Sequence, residues 1–379
     1  MAARSGSRAL RLSSDEVDLL WTAVARAVDP RVAARMRDLF GGDARSGITV
    51  AHHIALAALS TERSRALLGV VDPRHPLREY GLLVPTGPTG PLEPCDVSSH
   101  WTVPARVWGH LLGDDRLDPV VTAVGGFVTP FDDRERSPLL SARQDEHIAQ
   151  LRGWLAAGDR TVIVVEGASG SGRRTAVAIA AERPVIAVDF ACISARRAES
   201  VLGALRREVA LLGAVPVLAN LDELWSRLQP GDETRLALAE IAGSMPAPVV
   251  VTASTPGIDL HASTRTSLRL RWPVPEPATR RALWERVIDG ALAPDALDLV
   301  AMRFEMGAGG IRDAAHSASH RARQRGAVPG LDEVIAGVQD NIAERLGELA
   351  QRVDVRQDWS ELALSPDTHD DVRAMQRRG

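Results

Sequence analysis

The chain has 379 residues, of which 45% are hydrophobic and 25% charged, which is typical of a globular protein of two to three domains. Its formal net charge of -4 excludes a strong overall attraction to nucleic acid or anionic membranes. There is no apolar run long enough for a membrane span or a signal peptide, and Cys95 and Cys192 lie in unrelated contexts, so we expect a soluble, cytoplasmic protein.

Residues 1–112 predict a mostly helical domain. Ser13 and Glu16 have the spacing of a capping box at the start of its first helix. The apolar residues of this helix recur at helical spacing and predict a core-facing stripe: Val17, Leu20, Trp21, Val24 and Val28. Thr49 and Thr61 are the expected caps of two later helices.

Two short strands, residues 80–84 and 98–103, follow these helices with a turn-rich segment between them. Helices followed by such a hairpin predict a winged-helix-like N-terminal domain. Residues 1–120 contain 14 Arg against 14 Asp plus Glu, with no basic stripe. Because phosphate contacts supply most of the non-specific affinity for DNA, this balance favours protein docking over nucleic-acid binding.

Residues 113–139 are rich in Gly, Pro and Asp and predict a connector. Over residues 140–275, short apolar strands alternate with helices. This alternation predicts an α/β fold with a parallel sheet that is covered by helices on both faces. Residues 276–354 are helical throughout and predict a separate lid-like bundle.

A glycine-rich loop follows the first strand of the alternating region. Its spacing matches the P-loop pattern G-x-x-x-x-G-K-[ST], in which the Lys reaches the β- and γ-phosphates and the hydroxyl binds Mg²⁺. Arg173 and Arg174 replace that Lys and that hydroxyl, and the chain contains no Lys at all. The loop therefore predicts a phosphate cradle without its catalytic side chains. The expected contacts are Gly167, Ala168, Ser169, Gly170, Ser171, Gly172, Arg173, Arg174 and Thr175.

Two later strands also end in polar residues. Asp222 and Glu223 follow an apolar strand, where a Walker B pair would bind Mg²⁺ and polarise the attacking water. The alternative is that Asp222 caps the next helix. Thr255 follows the strand over residues 248–254, at the place of a γ-phosphate sensor, but a strand that ends in a turn predicts the same residue types.

These motifs occur in the order found in AAA+ ATPases, and residues 140–354 resemble an AAA+ module. Residues 273–284 resemble the P-x-P-[DE]-x-x-x-R segment that enters the AAA+ lid, and residues 306–314 resemble the lid motif G-x-I-R-[ND]-A. The resemblance implies a P-loop NTPase fold that binds ATP or ADP, with weakened Mg²⁺ binding at Asp222. It also implies that Arg312 is the sensor 2 residue, and that Arg265 lies where an arginine finger would lie.

The N-terminal domain and this module together resemble the front half of AAA+ ATPases associated with phage-tail-like contractile injection systems. In that group, a degenerate first module is joined to an intact second one by a segment that residues 355–379 resemble. No intact second module occurs in this sequence. The resemblance implies an oligomer that contains AAA+ modules, but it does not transfer ATPase activity to this chain.

Three functions stay open. The first is an ATP-binding AAA+ protein with little or no hydrolysis that acts in the assembly or remodelling of a larger complex. The second is a nucleotide-free adaptor, in which Arg173 and Arg174 fill the empty site and the N-terminal domain docks a protein partner. The third is a winged-helix DNA-binding regulator with an AAA+ switch, which the charge balance disfavours.

Overall fold

The computed structural model describes residues 12–41, 47–86, 95–129, 138–157, 161–258, 260 and 265–346. The predicted linker over residues 355–379 lies outside them. Within the described ranges, no helix is long and apolar enough to cross a membrane.

The N-terminal unit combines short helices with a small β-ladder. Its elements are α1 Ser14–Val28, α2 Pro30–Phe40, α3 Val50–Leu56, α4 Thr61–Leu67, α5 Pro76–Glu79, β1 Val84–Pro85, β2 Trp101–Thr102 and α6 Ala105–Leu111. The two strands pair antiparallel, and Ile48 forms an antiparallel bridge with Trp101. Trp101 therefore lies at the centre of the ladder, between Ile48 and Pro85.

The predicted capping box of α1 is confirmed. The Ser13 hydroxyl accepts from the Glu16 backbone N–H, and the Glu16 carboxylate accepts from the Ser13 backbone N–H at 2.7 Å. Thr49 caps α3 as predicted, whereas the prediction for Thr61 was wrong. Ser60 caps α4, because its hydroxyl accepts from the Arg63 backbone N–H and Thr61 is already helical.

The predicted core stripe of α1 was partly wrong. Trp21 and Val28 are exposed, whereas the buried residues of this helix are Leu19, Leu20, Ala23 and Val24. These form two pairs spaced four residues apart, and such pairs lie on one face of a helix. The predicted strands were also too long, because the backbone N–H groups of Leu82 and Leu83 donate to the carbonyl of Leu77 in a turn.

His53 makes the stability of this unit depend on pH. The residue is buried, and its Nδ1 lies 3.0 Å from the Thr22 hydroxyl. Burial lowers the pKa of His53, an effect that Asp18 and Asp15 offset only in part. The unfolded chain therefore takes up a proton more readily than the folded chain, so stability is complete above about pH 6.5 and falls as the pH drops below it.

We expect the urea midpoint of the chain to decrease as the pH is lowered through this range, and His53→Asn to flatten the profile. Burial also lowers the pKa of His52, so His52→Asn is the matched comparison and should remove a separate part of the slope. A profile that is identical in His53→Asn and the wild type would contradict this explanation.

A mixed sheet forms the centre of the molecule. Its elements are α7 Pro119–Thr122, β3 Gly125–Phe127, α8 Ala142–Ala156, β4 Val162–Glu166, α9 Arg173–Ala180, β5 Val185–Asp189, α10 Ala195–Leu212, β6 Val215–Ala219, α11 Leu221–Arg227, α12 Glu233–Gly243, β7 Val249–Ala253 and β8 Ser267–Arg271. The strand order is β3–β5–β6–β7–β4–β8. Strands β4 to β8 are parallel, and β3 is antiparallel to β5.

Successive residues of the parallel strands belong to two cores. Val162 and Val164 of β4 pack in a cluster with residues of α10, whereas Ile163 and Val165 pack in a cluster with residues of α8 and α9. This two-sided burial explains why the strands are continuous apolar runs. The P-loop strand β4 lies between β7 and β8, and the α/β unit has the AAA+ P-loop NTPase fold.

The segment predicted as a connector contributes α7 and β3 to this unit, which the sequence analysis did not predict. Strand β3 begins at Gly125, where an added Cβ would lie 2.0 Å from the Ala187 carbonyl oxygen of β5. A helical bundle then follows the sheet, as predicted: α13 Pro277–Ile288, α14 Pro294–Arg303, α15 Ala308–Gln324 and α16 Leu331–Leu346.

Candidate functional site

The glycine-rich loop joins β4 to α9 at the carboxyl edge of the parallel strands. Gly170 has φ 72° and Gly172 has φ 92°, and glycine adopts these left-handed conformations without a steric penalty. Gly172 is also the N-cap of α9. The loop thus turns back on itself and directs the chain into the helix, which is the backbone form that its spacing predicts.

Two neighbouring segments hold the loop from outside. The indole Nε1 of Trp272, at the end of β8, donates to the Ser171 carbonyl at 2.9 Å. The Gly309 backbone N–H of α15 donates to the Gly170 carbonyl, also at 2.9 Å. The lid helix therefore begins in direct backbone contact with the loop.

Arg173, at the position of the P-loop Lys, is 5% exposed. Its Nη2 donates to the hydroxyl of Ser254 at 3.2 Å, and Ser254 directly follows β7. Arg174 instead points towards β5, where its Nη1 lies 3.7 Å from the carboxylate of Asp189. The two arginines thus connect the start of α9 to the ends of two different strands.

Asp222 lies in the first turn of α11 and is 8% exposed. Its Oδ2 accepts three hydrogen bonds from the turn after β7: from the Ser254 N–H at 2.7 Å, the Thr255 N–H at 2.9 Å and the Thr255 hydroxyl at 3.1 Å. The side chain makes no cap hydrogen bond to α11, so the helix-cap alternative is wrong. Asp222 fastens the turn that carries the predicted phosphate sensor.

Asn220, not Asp222, is the residue that follows β6 directly. It adopts φ 52°, and its side-chain amide donates to Asp189 at 2.9 Å. The sequence analysis did not select Asn220, Asp189 or Trp272. The signal for the first two was present, because polar residues that follow adjacent parallel strands meet at one edge of the sheet.

Arg265 is placed where it cannot act as an arginine finger, so this prediction needs correction. Its guanidinium is buried and donates to the carbonyls of Gly243 at 2.7 Å, Ala247 at 3.0 Å and Met245. An arginine finger must reach the phosphates of a neighbouring subunit. In this conformation Arg265 instead ties down the segment that connects α12 to β7.

The other predicted site residues lie around the loop without forming a closed constellation. Glu223 is exposed on α11, and Thr175 is half-buried in α9. Arg312 lies in the second turn of α15, with its side chain 61% exposed and its Nε 3.8 Å from the Asp313 carboxylate. The loop, Asp222 and Thr255 are brought together, while Glu223 and Arg312 face solvent.

The side chains around the loop do not fit Mg²⁺. Among the described residues, no group of three or more His, Cys, Asp or Glu side chains is placed to hold a metal ion. Asp222 Oδ2 already accepts three hydrogen bonds, and Oδ1 is its one buried oxygen without a partner in the described part of the chain. Arg174 occupies the position of the hydroxyl ligand, and its positive charge opposes a cation.

No family model matches the sequence, and no curated protein matches it. Two solved structures are similar in fold. One, described as the structural basis for katanin self-assembly, is 15% identical, covers 60% of this chain and 93% of its own, and has a TM-score of 0.42. The other, the FIGL-1 AAA domain, is 13% identical, covers 69% of this chain and 96% of its own, and has a TM-score of 0.43.

Proposed function

We propose that this chain is an AAA+-type module that binds nucleotide phosphates without hydrolysing them and acts within an oligomeric assembly. One observation carries the proposal. The buried Arg173 guanidinium donates to Ser254, and Asp222 accepts from the backbone of that same residue. The groups expected to face the γ-phosphate and its metal are thus bound to one another.

Hydrolysis requires a metal at the β- and γ-phosphates and a group that orients the attacking water. Arg174 stands in the place of the hydroxyl ligand, and Asp222 keeps a single unpartnered oxygen among the described residues. Glu223, the candidate for orienting water, is exposed on α11. None of these residues supplies the missing chemistry, which supports binding without turnover.

The loop backbone supports the binding of an anion. It ends at the N-terminus of α9, where unpaired N–H groups and the helix dipole favour negative charge by about 0.3–1 kcal/mol at exposed sites. Ser171 is 2% exposed, and its hydroxyl has no hydrogen-bond partner among the described residues. Arg174 adds a half-exposed cation. Donors and positive charge therefore surround the loop, while a metal site is lacking in the described ranges.

Calorimetric titration of the full chain tests this proposal. ADP is expected to bind saturably, and chelation of Mg²⁺ with EDTA should leave its affinity unchanged, because the side chains around the loop do not fit the metal. ATP should release phosphate only at the background rate. Gly172→Glu should abolish binding, because it places a carboxylate at the N-cap and a side chain at a left-handed φ.

Gly153→Glu is the matched control, because Gly153 is exposed on α8 and a Cβ added there meets no atom within 4 Å. It should bind ADP as the wild type does. Magnesium-dependent turnover at the rate of an intact ATPase would overturn the proposal.

A nucleotide-free adaptor is the second candidate, and two contacts favour it. Arg173 already fills the space between the loop and Ser254, and Gly309 already bonds the loop carbonyl of Gly170. In an adaptor these contacts would replace the nucleotide and hold the lid in place. The same titration separates the candidates, since an adaptor gives no heat with ADP or ATP.

The N-terminal unit is the proposed docking module of the assembly. Its ladder, in which β2 lies between Ile48 and β1, supports a winged-helix-like interpretation, and its balanced charge supports a protein partner. The association with contractile injection systems is proposed from sequence resemblance alone. Salt-sensitive binding of duplex DNA would instead favour the regulator function.

A further inference from the structure

A cleft of about 460 Å³ lies between the N-terminal unit and α10, away from the glycine-rich loop. Gly81 and residues 83–85 form part of one wall, and Gly203 and Ala204 of α10 form part of the other. Small-molecule sites have volumes of about 300–1,000 Å³ and occur preferentially between domains. The cleft therefore has the size and the location of a ligand site.

The walls of the cleft are fixed relative to each other. Ala210 of α10 packs in the hydrophobic core of the N-terminal unit. Arg106 of α6 forms a bidentate pair with Glu208 of α10, at 2.7 and 2.8 Å. The cleft is consequently a preformed space between two parts that share a core.

Positive charge dominates the lining. Four arginines and one glutamate line the cleft: Arg78, Arg196, Arg206, Arg207 and Glu199. Arg207 pairs with Asp118 at 2.6 Å. Arg206 donates to the neutral hydroxyl of Ser244 at 2.6 Å, and no carboxylate in the described ranges forms an ion pair with it.

Two guanidinium groups have buried donors that lack an acceptor. The Nε atoms of Arg206 and Arg207 are buried and have no hydrogen-bond partner among the described residues. Burial lowers the pKa of Arg206, and Glu79, Tyr80 and Glu240 oppose this effect only from a distance. Buried donors and cations without partners are costly, and a bound anion would supply the missing acceptors.

We propose that this cleft binds a small molecule that carries a carboxylate or phosphate group on an apolar body. The anionic group accepts hydrogen bonds from Arg206 and Arg207, because planar guanidinium groups suit both kinds of oxyanion. The apolar body packs against Leu83, Val120 and Ile241, which also line the cleft. This site is independent of the proposed nucleotide binding at the loop.

Benzoate and phenyl phosphate are suitable probes for the full chain, with benzyl alcohol as the neutral analogue. We expect saturable binding of one or both anions by calorimetry, a raised melting temperature with the bound probe, and no response to benzyl alcohol. Arg206→Met should weaken binding by at least about tenfold, as expected for the loss of a charge-assisted hydrogen bond. Phosphate bound at the glycine-rich loop would survive this substitution.

Gly203→Leu tests the shape of the site while it keeps all the arginines. A Cβ at Gly203 meets no atom within 4 Å, so leucine should fit into the cleft and abolish probe binding without loss of stability. Arg197→Met is the matched control, because Arg197 is exposed on the same helix and does not line the cleft. Wild-type affinity in both Arg206→Met and Gly203→Leu, or no saturable binding of either anion to the wild type, would overturn the proposal.

Discussion

Glu208→Gln is expected to destabilise the folded chain by about 3–5 kcal/mol, the range for breaking a buried ion pair by removing one partner. Glu208 is 0% exposed, and both of its carboxylate oxygens accept from Arg106, whose side chain is 7% exposed. Its Oε1 also accepts from the Asp118 backbone N–H at 3.1 Å. The substitution leaves the Arg106 charge buried without a counter-charge. Urea denaturation should show a lower midpoint.

The same pair allows a test of whether the charge or the packing matters. Arg106→Met combined with Glu208→Leu removes both charges, and such exchanges are often neutral or stabilising. We therefore expect the double variant to recover most of the stability that Glu208→Gln loses. Arg116→Ala, which breaks an exposed pair with Asp114, should have no measurable effect. A double variant as unstable as Glu208→Gln would show that the loss comes from packing.

The parallel strands and the loop could be predicted because their physical signals are local. Strands buried on both faces are continuous apolar runs, and the loop needs glycine at positions of positive φ. Strand β3 could not be predicted, because Gly125 and Gly126 have low strand propensity. It exists through its pairing with β5, which is a contact between residues about sixty positions apart in the chain.

The candidate site was predictable in position but not in its bonding. The order of the motifs indicated that Asp222 and Thr255 would meet at one edge of the sheet. The backbone turn at Asn220, with φ 52°, places Asp222 inside α11 and directs its carboxylate to the turn after β7. The burial of Arg265 depends on three carbonyls at the end of α12 and beyond, which no sequence pattern reveals.

Gly307→Ala is expected to separate the lid helix from the glycine-rich loop. A Cβ at this position would lie 2.2 Å from the Ser171 Cα and 2.5 Å from the Gly170 carbonyl oxygen, distances that require the backbone to move. Gly307 has φ -79°, which any residue adopts, so the cost arises from the contact alone. Overpacking of this kind costs about 1–3 kcal/mol, occasionally more.

Hydrogen exchange measures this separation directly, because the Gly309 amide donates to the Gly170 carbonyl and should lose protection in Gly307→Ala. Gly153→Ala is the control. Gly153 is exposed in α8, where a Cβ meets no atom within 4 Å, and alanine there should stabilise the helix by up to about 1 kcal/mol. If Gly307→Ala keeps both its stability and the protection of Gly309, the loop and the lid are not in contact in solution. In that case the adaptor function, which requires the lid to hold the empty loop, would lose its structural basis, whereas nucleotide binding by the loop backbone would not.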